Sequence, residues 1–141
     1  MYKVELLPAI MTPLVNKFYD AHRVRGRAAK HDKVSVVKDG SEIIAACRLQ
    51  PVDGNWLLVG VYVAPQRRNQ GIAKTLIESA IKQFRSEQSR QIIYTFAYCH
   101  LSDFYLSLGF QRNSRELPPE LASRLSSYLG QNRKLMAMYY V

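Results

Sequence analysis

The residues with the clearest potential for chemistry lie between Val61 and Lys74, in the segment VYVAPQRRNQGIAK. An apolar, β-rich run ends in this segment, and a helical pattern begins near Gly71. The first amides of a helix lack carbonyl partners and carry partial positive charge, so they suit a phosphate group. Gly71 has no side chain to obstruct a ligand, and Arg67, Arg68 and Lys74 add positive charge. The segment therefore predicts a pyrophosphate-binding loop.

The loop differs from the two common phosphate-binding motifs, because the chain contains neither GxxxxGK[ST] nor GxGxxG. The loop instead contains the pattern Arg68-x-x-Gly71-x-Ala73, which follows a predicted strand ending in Val-x-Val-x-Pro. A second block, FYLSLGF, covers residues 104–110. The two blocks resemble the acetyl-CoA signature and the later FYxxxGF element of the GNAT superfamily of N-acyltransferases. One predicted helix and one predicted strand separate them, as in that family.

This resemblance implies an enzyme that uses acetyl-CoA as co-substrate and acetylates an amine by direct attack on the thioester. It implies a sheet that splits after the strand Trp56–Val63, with acetyl-CoA in the opening. The pantetheine arm would pair with that strand, and the pyrophosphate would lie on the amides of residues 68–74. The implied cofactor-binding residues are Val61, Tyr62, Val63, Arg68, Asn69, Gln70, Gly71, Ile72, Ala73 and Lys74.

The catalytic residue implied by the resemblance is Tyr105, which occupies the usual acid position of the family and would protonate the leaving thiolate. Such proton transfer contributes about two to four decades in rate. A backbone amide near Val63 could stabilise the negative charge on the thioester oxygen. Core packing is the alternative for Tyr105. Glu42 and Asp53 lack a partner that marks a general base, and the base stays unassigned.

Other reactive side chains have weaker claims. His100 is a base, an acceptor contact or a surface residue, and His22 falls on the apolar face of the first helix, where packing is favoured. Cys99 could form an acetyl-enzyme, but the family normally transfers directly. The family often has an Asn before the FY block, and here that region reads Tyr98-Cys99-His100, which puts a contact by that Asn in doubt. We predict no metal site.

The net charge is +9, with a sequence pI near 9.8, and favours polyanionic partners. The densest basic patch lies between Lys17 and Lys33 and would repel polyamines and cationic aminoglycosides. We expect a small-molecule or peptide amine acceptor, either an acidic metabolite or a macromolecular amine; a solvated surface is the alternative for the patch. A second function hypothesis is a basic nucleic-acid-binding domain with a vestigial or sensory CoA site. A third is an interaction module that pairs with a second copy through its last strand, giving a homodimer.

The chain has 141 residues, enough for one domain, and we predict a single N-acetyltransferase domain over 1–141. The start of the sequence lacks the apolar stretch of a signal peptide, and no apolar run is long enough to cross a bilayer. Cys47 and Cys99 match no disulfide framework, which predicts reduced, partly buried thiols and a cytoplasmic protein without membrane association.

The periodicity predicts an α/β (α+β) fold with a mixed sheet, in the order β-α-β-β-β-α-β-α-β-α-β. The resemblance implies a GNAT-like, mostly antiparallel sheet that is split in the middle and flanked by helices. The predicted strands include Tyr2–Leu7, Lys33–Lys38, Glu42–Pro51, Trp56–Val63, Gln91–Tyr98 and Lys134–Val141. The first helix is predicted to have Thr12 as N-cap and an apolar stripe of Leu14, Phe18 and Ala21, with Val15 and Tyr19 alongside. Ile72 to Phe84 forms the clearest amphipathic helix. A short helix capped by Ser102-Asp103 and a helix over Pro119–Leu129, with Leu129 on its apolar face, complete the set.

Overall fold

The computed structural model describes residues 2–87 and 90–141. The strands are β1 (Tyr2–Leu7), β2 (Lys33–Asp39), β3 (Glu42–Val52), β4 (Asn55–Val63), β5 (Ile93–Tyr98), β6 (Gln111–Arg112) and β7 (Leu135–Tyr140). The helices are α1 (Thr12–Ala21), α2 (Ile72–Glu87), α3 (Ser102–Ser107) and α4 (Pro119–Leu129). Short 3₁₀ turns cover Ala9–Met11, Pro65–Arg67 and Cys99–Leu101. The predicted order of strands and helices is confirmed.

The strands form one seven-stranded sheet in the order β1-β2-β3-β4-β5-β7-β6. β1, β2 and β3 are antiparallel neighbours, as are β5, β7 and β6. β4 and β5 are parallel, with Trp56–Leu58 opposite Ile93–Thr95. Among the described residues, the register of this pair ends at Leu58 and Thr95, although both strands continue. The mixed, mostly antiparallel sheet and its split are therefore as predicted.

The chain divides into two compact units. The first comprises Met1–Gln50 with Val59–Ser89, and the second comprises Pro51–Leu58 with Arg90–Val141. The single domain over 1–141 stays a prediction, and three of its residues, Met1, Gln88 and Ser89, lie outside the described part of the chain.

The core of the first unit is built on α1, α2 and strands β1 to β3. The apolar stripe of α2 is buried as its spacing predicts, from Ile72 through Ile77 to Phe84. In α1 the predicted stripe is confirmed in part: Val15, Phe18 and Tyr19 are buried, whereas Leu14 and Ala21 are exposed. The sheet covers only one side of α1, so the buried face is centred on Val15, Phe18 and Tyr19.

Two predicted helix caps were also wrong. Thr12 is the first residue of α1, and its hydroxyl donates back to the carbonyl of Ala9 at 2.7 Å instead of capping the helix. Ser102 is likewise the first residue of α3, preceded by Leu101, and makes no capping bond. In both cases a 3₁₀ turn leads directly into the helix, so the amides at the helix start follow an already wound backbone. The β2–β3 hairpin loop is Gly40–Ser41, between the paired residues Asp39 and Glu42.

The second unit contains α3, α4 and strands β5, β7 and β6. Leu121 of α4 is fully buried, but Leu129 is 45% exposed, so the predicted apolar face of α4 is only partly used. The last strand, β7, is paired with β5 on one side and with β6 on the other. Gln111 and Arg112 already occupy the edge of β7 at Tyr139 and Met138, where the interaction-module hypothesis would pair a second copy.

Candidate functional site

The loop between β4 and α2 changes direction through two residues in the left-handed conformation. After the turn at Pro65–Arg67, Asn69 has φ +63° and Gly71 has φ +74°. The backbone amide and the hydroxyl of Thr75 both donate to the carbonyl of Gly71, each at 3.1 Å. The hydrogen-bond ladder of α2 therefore begins at Thr75, and the amides of residues 72–74 precede it. This is the predicted arrangement of a helix N-terminus behind a polar loop.

Gly71 is an open position of this loop. A Cβ atom at Gly71 would meet no protein atom within 4 Å, so packing does not require a glycine there. The positive φ requires one, because other L-residues adopt this conformation at a cost. A ligand can approach the backbone at this point without meeting a side chain. The loop thus fits a phosphate group both in its amides and in its access.

Arg67 is not part of the positive charge at this loop, contrary to our expectation. Its Nη1 donates to the Oδ2 of Asp39, and the same nitrogen lies 3.4 Å from the hydroxyl of Tyr2. That hydroxyl donates in turn to Oε1 of Gln70 at 2.6 Å. The guanidinium of Arg67 holds the pKa of the Asp39 carboxyl below its usual value. These four residues form a clamp between the loop and strands β1 and β2, which we call the Arg67 clamp.

Arg68 lies against the end of β4. Its Nε donates to the carbonyl of Val63 at 3.0 Å, and its Cζ lies 5.1 Å from the centre of the Tyr62 ring. The structure thereby brings together three of the predicted cofactor-binding residues. Lys74 and Asn69 are exposed. Ile72 has its side chain in the core, so only its backbone amide is available to a ligand.

Tyr62 also belongs to an aromatic group with α1. Its ring centre lies 6.0 Å from that of Phe18 and 5.2 Å from that of His22, and Phe18 and His22 are 4.8 Å apart. His22 is half-buried in these contacts. The expectation that His22 packs against the apolar face of α1 is confirmed. Val61, Tyr62 and Val63 are all half-buried, and the amide of the following Ala64 donates to the carbonyl of Ile44 at 2.8 Å.

In the second unit, Tyr105 is buried, with 7% of its surface exposed. Its ring packs edge-on against Phe104 at 5.2 Å and Phe110 at 5.6 Å, and Phe110 contacts Tyr140 at 5.3 Å. Gly109 has φ +103°, and a Cβ there would lie 3.0 Å from the Tyr140 ring. The FYLSLGF block therefore builds an aromatic cluster. The position of Tyr105 in this cluster is compatible with a packing role. Its role as the catalytic acid stays a prediction.

The remaining candidates lie in exposed turns. Cys99 and His100 are exposed in the 3₁₀ turn after β5, with the His100 ring 5.8 Å from that of Tyr98. Glu42 and Asp53 are exposed at the hairpin ends of β3. Cys47 is fully buried, and burial raises the pKa of its thiol to about 12. The two thiols are free, but Cys99 is exposed and not partly buried as predicted.

In residues 2–87 and 90–141, no group of three or more His, Cys, Asp or Glu side chains is arranged to hold a metal ion. No helix in the same ranges has the length and hydropathy that a membrane span requires.

The first unit also contains a buried polar cluster that we did not predict from the sequence. Arg48 of β3 forms an ion pair with Asp32, and both side chains are almost completely buried. Two signals were available in the sequence: a single arginine within the apolar strand IIAACRL, and an isolated glycine, Gly60, within another strand. A glycine in a strand often marks a bulge or a close approach of other groups. Asp32 was counted as part of the surface patch and instead lies in the interior.

The model of the acetyltransferase (GNAT) domain matches residues 30–112, which is more than half of the chain. The chain belongs to the GNAT acetyltransferase family. The match includes β4, the loop with Gly71, α2 and the FYLSLGF block. This GNAT domain therefore has both elements that suggested the family from the sequence. No curated protein sequence matches the chain.

Solved structures show the same fold. Escherichia coli ElaA is similar at a TM-score of 0.74 and 14% identity, with 100% of each chain covered. N-acetylglutamate synthase from Neisseria gonorrhoeae, solved with coenzyme A and N-acetyl-glutamate, has a TM-score of 0.71 and 13% identity, with 99% of this chain and 35% of that chain covered. PaiA N-acetyltransferase from Thermoplasma acidophilum, solved with coenzyme A, has a TM-score of 0.63 and 12% identity, over 99% and 98%. At these identities the likeness shows the fold of this GNAT domain.

Proposed function

We propose that this GNAT domain transfers an acetyl group from acetyl-CoA to a primary amine by direct attack of the amine on the thioester. The observation that carries the proposal is the loop before α2. It combines an open backbone at Gly71, amides that precede the helix ladder, and the position of this loop within the family match. Two neighbours of the same fold were solved with coenzyme A, which supports an acyl-CoA.

The residues that would hold the cofactor are those of β4 and the loop. The backbone of Val61–Val63 would pair with the pantetheine arm, and the amides of residues 68–74 would bind the pyrophosphate. Because Arg67 is neutralised by Asp39, the positive side chains left for the phosphates are Arg68 and Lys74. Acetyl-CoA, when bound, supplies the acetyl group in activated form as a thioester.

The reaction requires a neutral amine, although a free primary ammonium has a pKa of roughly 10.4. The amine nitrogen forms a bond to the acetyl carbon, the carbon–sulfur bond breaks, and the amine loses a proton. We propose that this proton passes to water and that Tyr105 donates a proton to the leaving thiolate. The amide of Val63 is the proposed donor to the thioester oxygen. The support for these roles is the family pattern of the FYLSLGF block and of β4.

The acceptor that we propose is an amine that also carries an acidic group. The net charge of +9 attracts anions and repels polyamines. One neighbour was solved with N-acetyl-glutamate, an acetylated amine with two carboxylates. A macromolecular amine, such as the N-terminus of an acidic peptide, remains the second class. A cytoplasmic location and a homodimer are predictions that this proposal does not need.

The first test is the thermal stability of the purified chain with acetyl-CoA, CoA and ATP in parallel, followed by calorimetry. A ligand at about a hundred times its dissociation constant adds roughly 2.7 kcal/mol to the free energy of unfolding. We expect a shift with both CoA species and little with ATP. Release of free thiol is then measured with glutamate, an acidic peptide and spermidine as acceptors. Turnover should be faster with the acidic amines.

No shift with either CoA species would contradict the proposed function. A parallel titration with a short RNA and a short DNA covers the nucleic-acid hypothesis, which neither the family match nor the structural neighbours support. Micromolar affinity that falls steeply with salt, without a CoA shift, would replace the enzyme by a nucleic-acid-binding domain.

A further inference from the structure

A buried polar cluster connects four parts of the first unit: α1, the segment before β2, strand β3 and strand β4. Its members are Tyr19, Asp32, Arg48 and Gly60, and we call it the Arg48 cluster. The Nη1 of Arg48 donates to Oδ2 of Asp32 at 2.9 Å and to the carbonyl of Arg27 at 2.8 Å. Asp32 also accepts from the amide of Ala29 at 3.0 Å. Arg48 is 4% exposed, and the side chain of Asp32 is 2% exposed.

Tyr19 connects this cluster to β4. It is fully buried on α1, its ring centre lies 5.4 Å from Cζ of Arg48, and its hydroxyl donates to the carbonyl of Gly60 at 2.8 Å. Burial raises the pKa of Tyr19 well above its usual value, so the hydroxyl stays protonated. The hydroxyl is therefore a fixed donor to one backbone carbonyl of β4.

Gly60 is the point at which β4 departs from regular strand geometry. Its φ is +64°, a left-handed value in the middle of a strand. A Cβ at Gly60 would lie 2.8 Å from the Tyr19 hydroxyl, 3.0 Å from Nε of Arg48 and 3.2 Å from Nη2 of Arg48. Any other residue would collide with the cluster as well as strain the backbone. The kink and the cluster are thus fitted to each other.

For stability alone, buried polar side chains are an unfavourable way to fill this space. A buried ion pair of this kind is often no more stabilising than apolar side chains of similar volume. In addition, Nε of Arg48 is buried without a hydrogen-bond partner among the described residues. Apolar residues could cover β3 and α1, but they could not donate to the Gly60 carbonyl. The arrangement therefore points to control of geometry and not to packing alone.

We infer that Tyr19 and Arg48 are positioning residues that hold the kink of β4 at Gly60 and so orient Val61–Val63 for acyl-CoA. The inference rests on the proposed function, in which the backbone of these three residues pairs with the pantetheine arm. Tyr19 acts through its hydrogen bond to Gly60. Arg48 keeps Tyr19 in place and, through Asp32, ties the segment 27–32 to the same point.

The first experiment uses Tyr19→Phe, which removes one hydroxyl and keeps the buried ring. We expect an affinity for CoA about tenfold weaker by calorimetry, equivalent to about 1.4 kcal/mol. In the protein without ligand, the amides of residues 61–63 should exchange with solvent faster. The control is Tyr139→Phe, because Tyr139 also donates its hydroxyl to a partner, Oε1 of Gln111 at 2.9 Å, in the second unit. It should leave both measurements unchanged.

A double-mutant cycle separates positioning from stability. Gly60→Ala should weaken CoA binding by more than tenfold, because its Cβ collides with Tyr19 and Arg48. Adding Tyr19→Phe removes the 2.8 Å contact, so the double variant should bind CoA more tightly than Gly60→Ala alone.

Arg48→Lys retains the charge opposite Asp32 while removing Nε and the guanidinium fork, and should weaken CoA binding with the chain still folded.

The outcomes of these experiments are distinct. If the unmodified chain binds no CoA species, the proposed function is wrong and this inference falls with it. If the unmodified chain binds and Tyr19→Phe binds equally well with unchanged exchange at 61–63, the inference alone is wrong. Additive effects in the double-mutant cycle would also overturn it. A lower melting temperature without a change in affinity would assign the cluster to stability only.

Discussion

Arg67 donates a hydrogen bond from Nη1 to Oδ2 of Asp39, a residue 28 positions earlier in the chain. The bond connects the predicted pyrophosphate-binding loop before α2 to the end of β2. Tyr2 and Gln70 extend the contact to β1. The cation nearest to the start of the loop thus has a structural partner, while the backbone at Gly71 stays open.

This clamp leads to the first prediction. Arg67→Met should weaken CoA affinity by about threefold to tenfold, because the loop loses its anchor while the amides that bind phosphate remain. Asp39→Asn should have a similar effect, although it leaves the positive charge in place. A residue that bound phosphate directly would behave differently, since Asp39→Asn would then strengthen binding. Lys33→Met is the control, because it removes a surface ion pair with Glu87 in the same unit.

The clamp also has a predictable pH range. The folded-state pKa of Asp39 is lowered by Arg67, so the contribution of the clamp is present above the unfolded pKa of roughly 3.9. It is lost as the pH falls through the lower folded-state value. Between about pH 5 and pH 8 Asp39 stays ionised, so the clamp should cause no change in CoA affinity over this range.

The second prediction concerns Gly71. Gly71→Glu should abolish CoA binding, because the carboxylate occupies the open approach and repels phosphate. Gly71→Ala should bind about tenfold more weakly, since a left-handed φ costs an L-residue roughly 1–2 kcal/mol. Gly54→Glu is the matched control: Gly54 also has a positive φ and open space, but it lies in the β3–β4 turn. Retained binding by Gly71→Glu in calorimetry would place the phosphate site elsewhere.

The third prediction separates side chain from backbone in the same loop. Arg68→Ala should weaken CoA binding by about fivefold to tenfold without abolishing it, because the amides of the loop carry most of the binding. Lys74→Ala should add a smaller loss that shrinks in high salt. Lys82→Ala, at an exposed position further along α2, is the control. Complete loss of affinity in Arg68→Ala would contradict the backbone model.

The fourth prediction tests the acid role of Tyr105. Tyr105→Phe should lower kcat at least tenfold while CoA affinity stays nearly the same, because proton transfer is typically worth about two to four decades. Tyr140→Phe is the control, since Tyr140 packs on Phe110 in the same aromatic cluster. An unchanged kcat in Tyr105→Phe would leave Tyr105 with its packing role.

The fifth prediction follows from the buried thiol of Cys47. Its folded-state pKa is about 12, above the value of roughly 8.5 in the unfolded chain, so its contribution to stability is fully present below pH 8.5. Between these two values the free energy of unfolding should fall by up to about 1.4 kcal/mol per pH unit. Cys47→Ala should remove this slope, and Cys99→Ala should retain it. Urea unfolding from pH 7 to pH 10, followed by Trp56 fluorescence, measures both.

Local sequence signals determined most of the fold and part of the site. Alternation predicted the strands, and helical spacing predicted the buried face of α2. These signals involve residues only a few positions apart, so they can be recognised in the sequence without the tertiary structure. The loop at Gly71 belongs to the same class, because a strand end, a glycine and a helix start are adjacent in sequence.

Only the tertiary structure decided which charges are paired and which residues the kink of β4 requires. The partners of Arg67 and Arg48 are distant in sequence, and only the folding of the chain brings each carboxylate to its arginine. Spacing along the chain carries no information about such pairs. The face that α1 buries was decided in the same way, since the sheet, and not the helical period, determines which side of a helix meets the core.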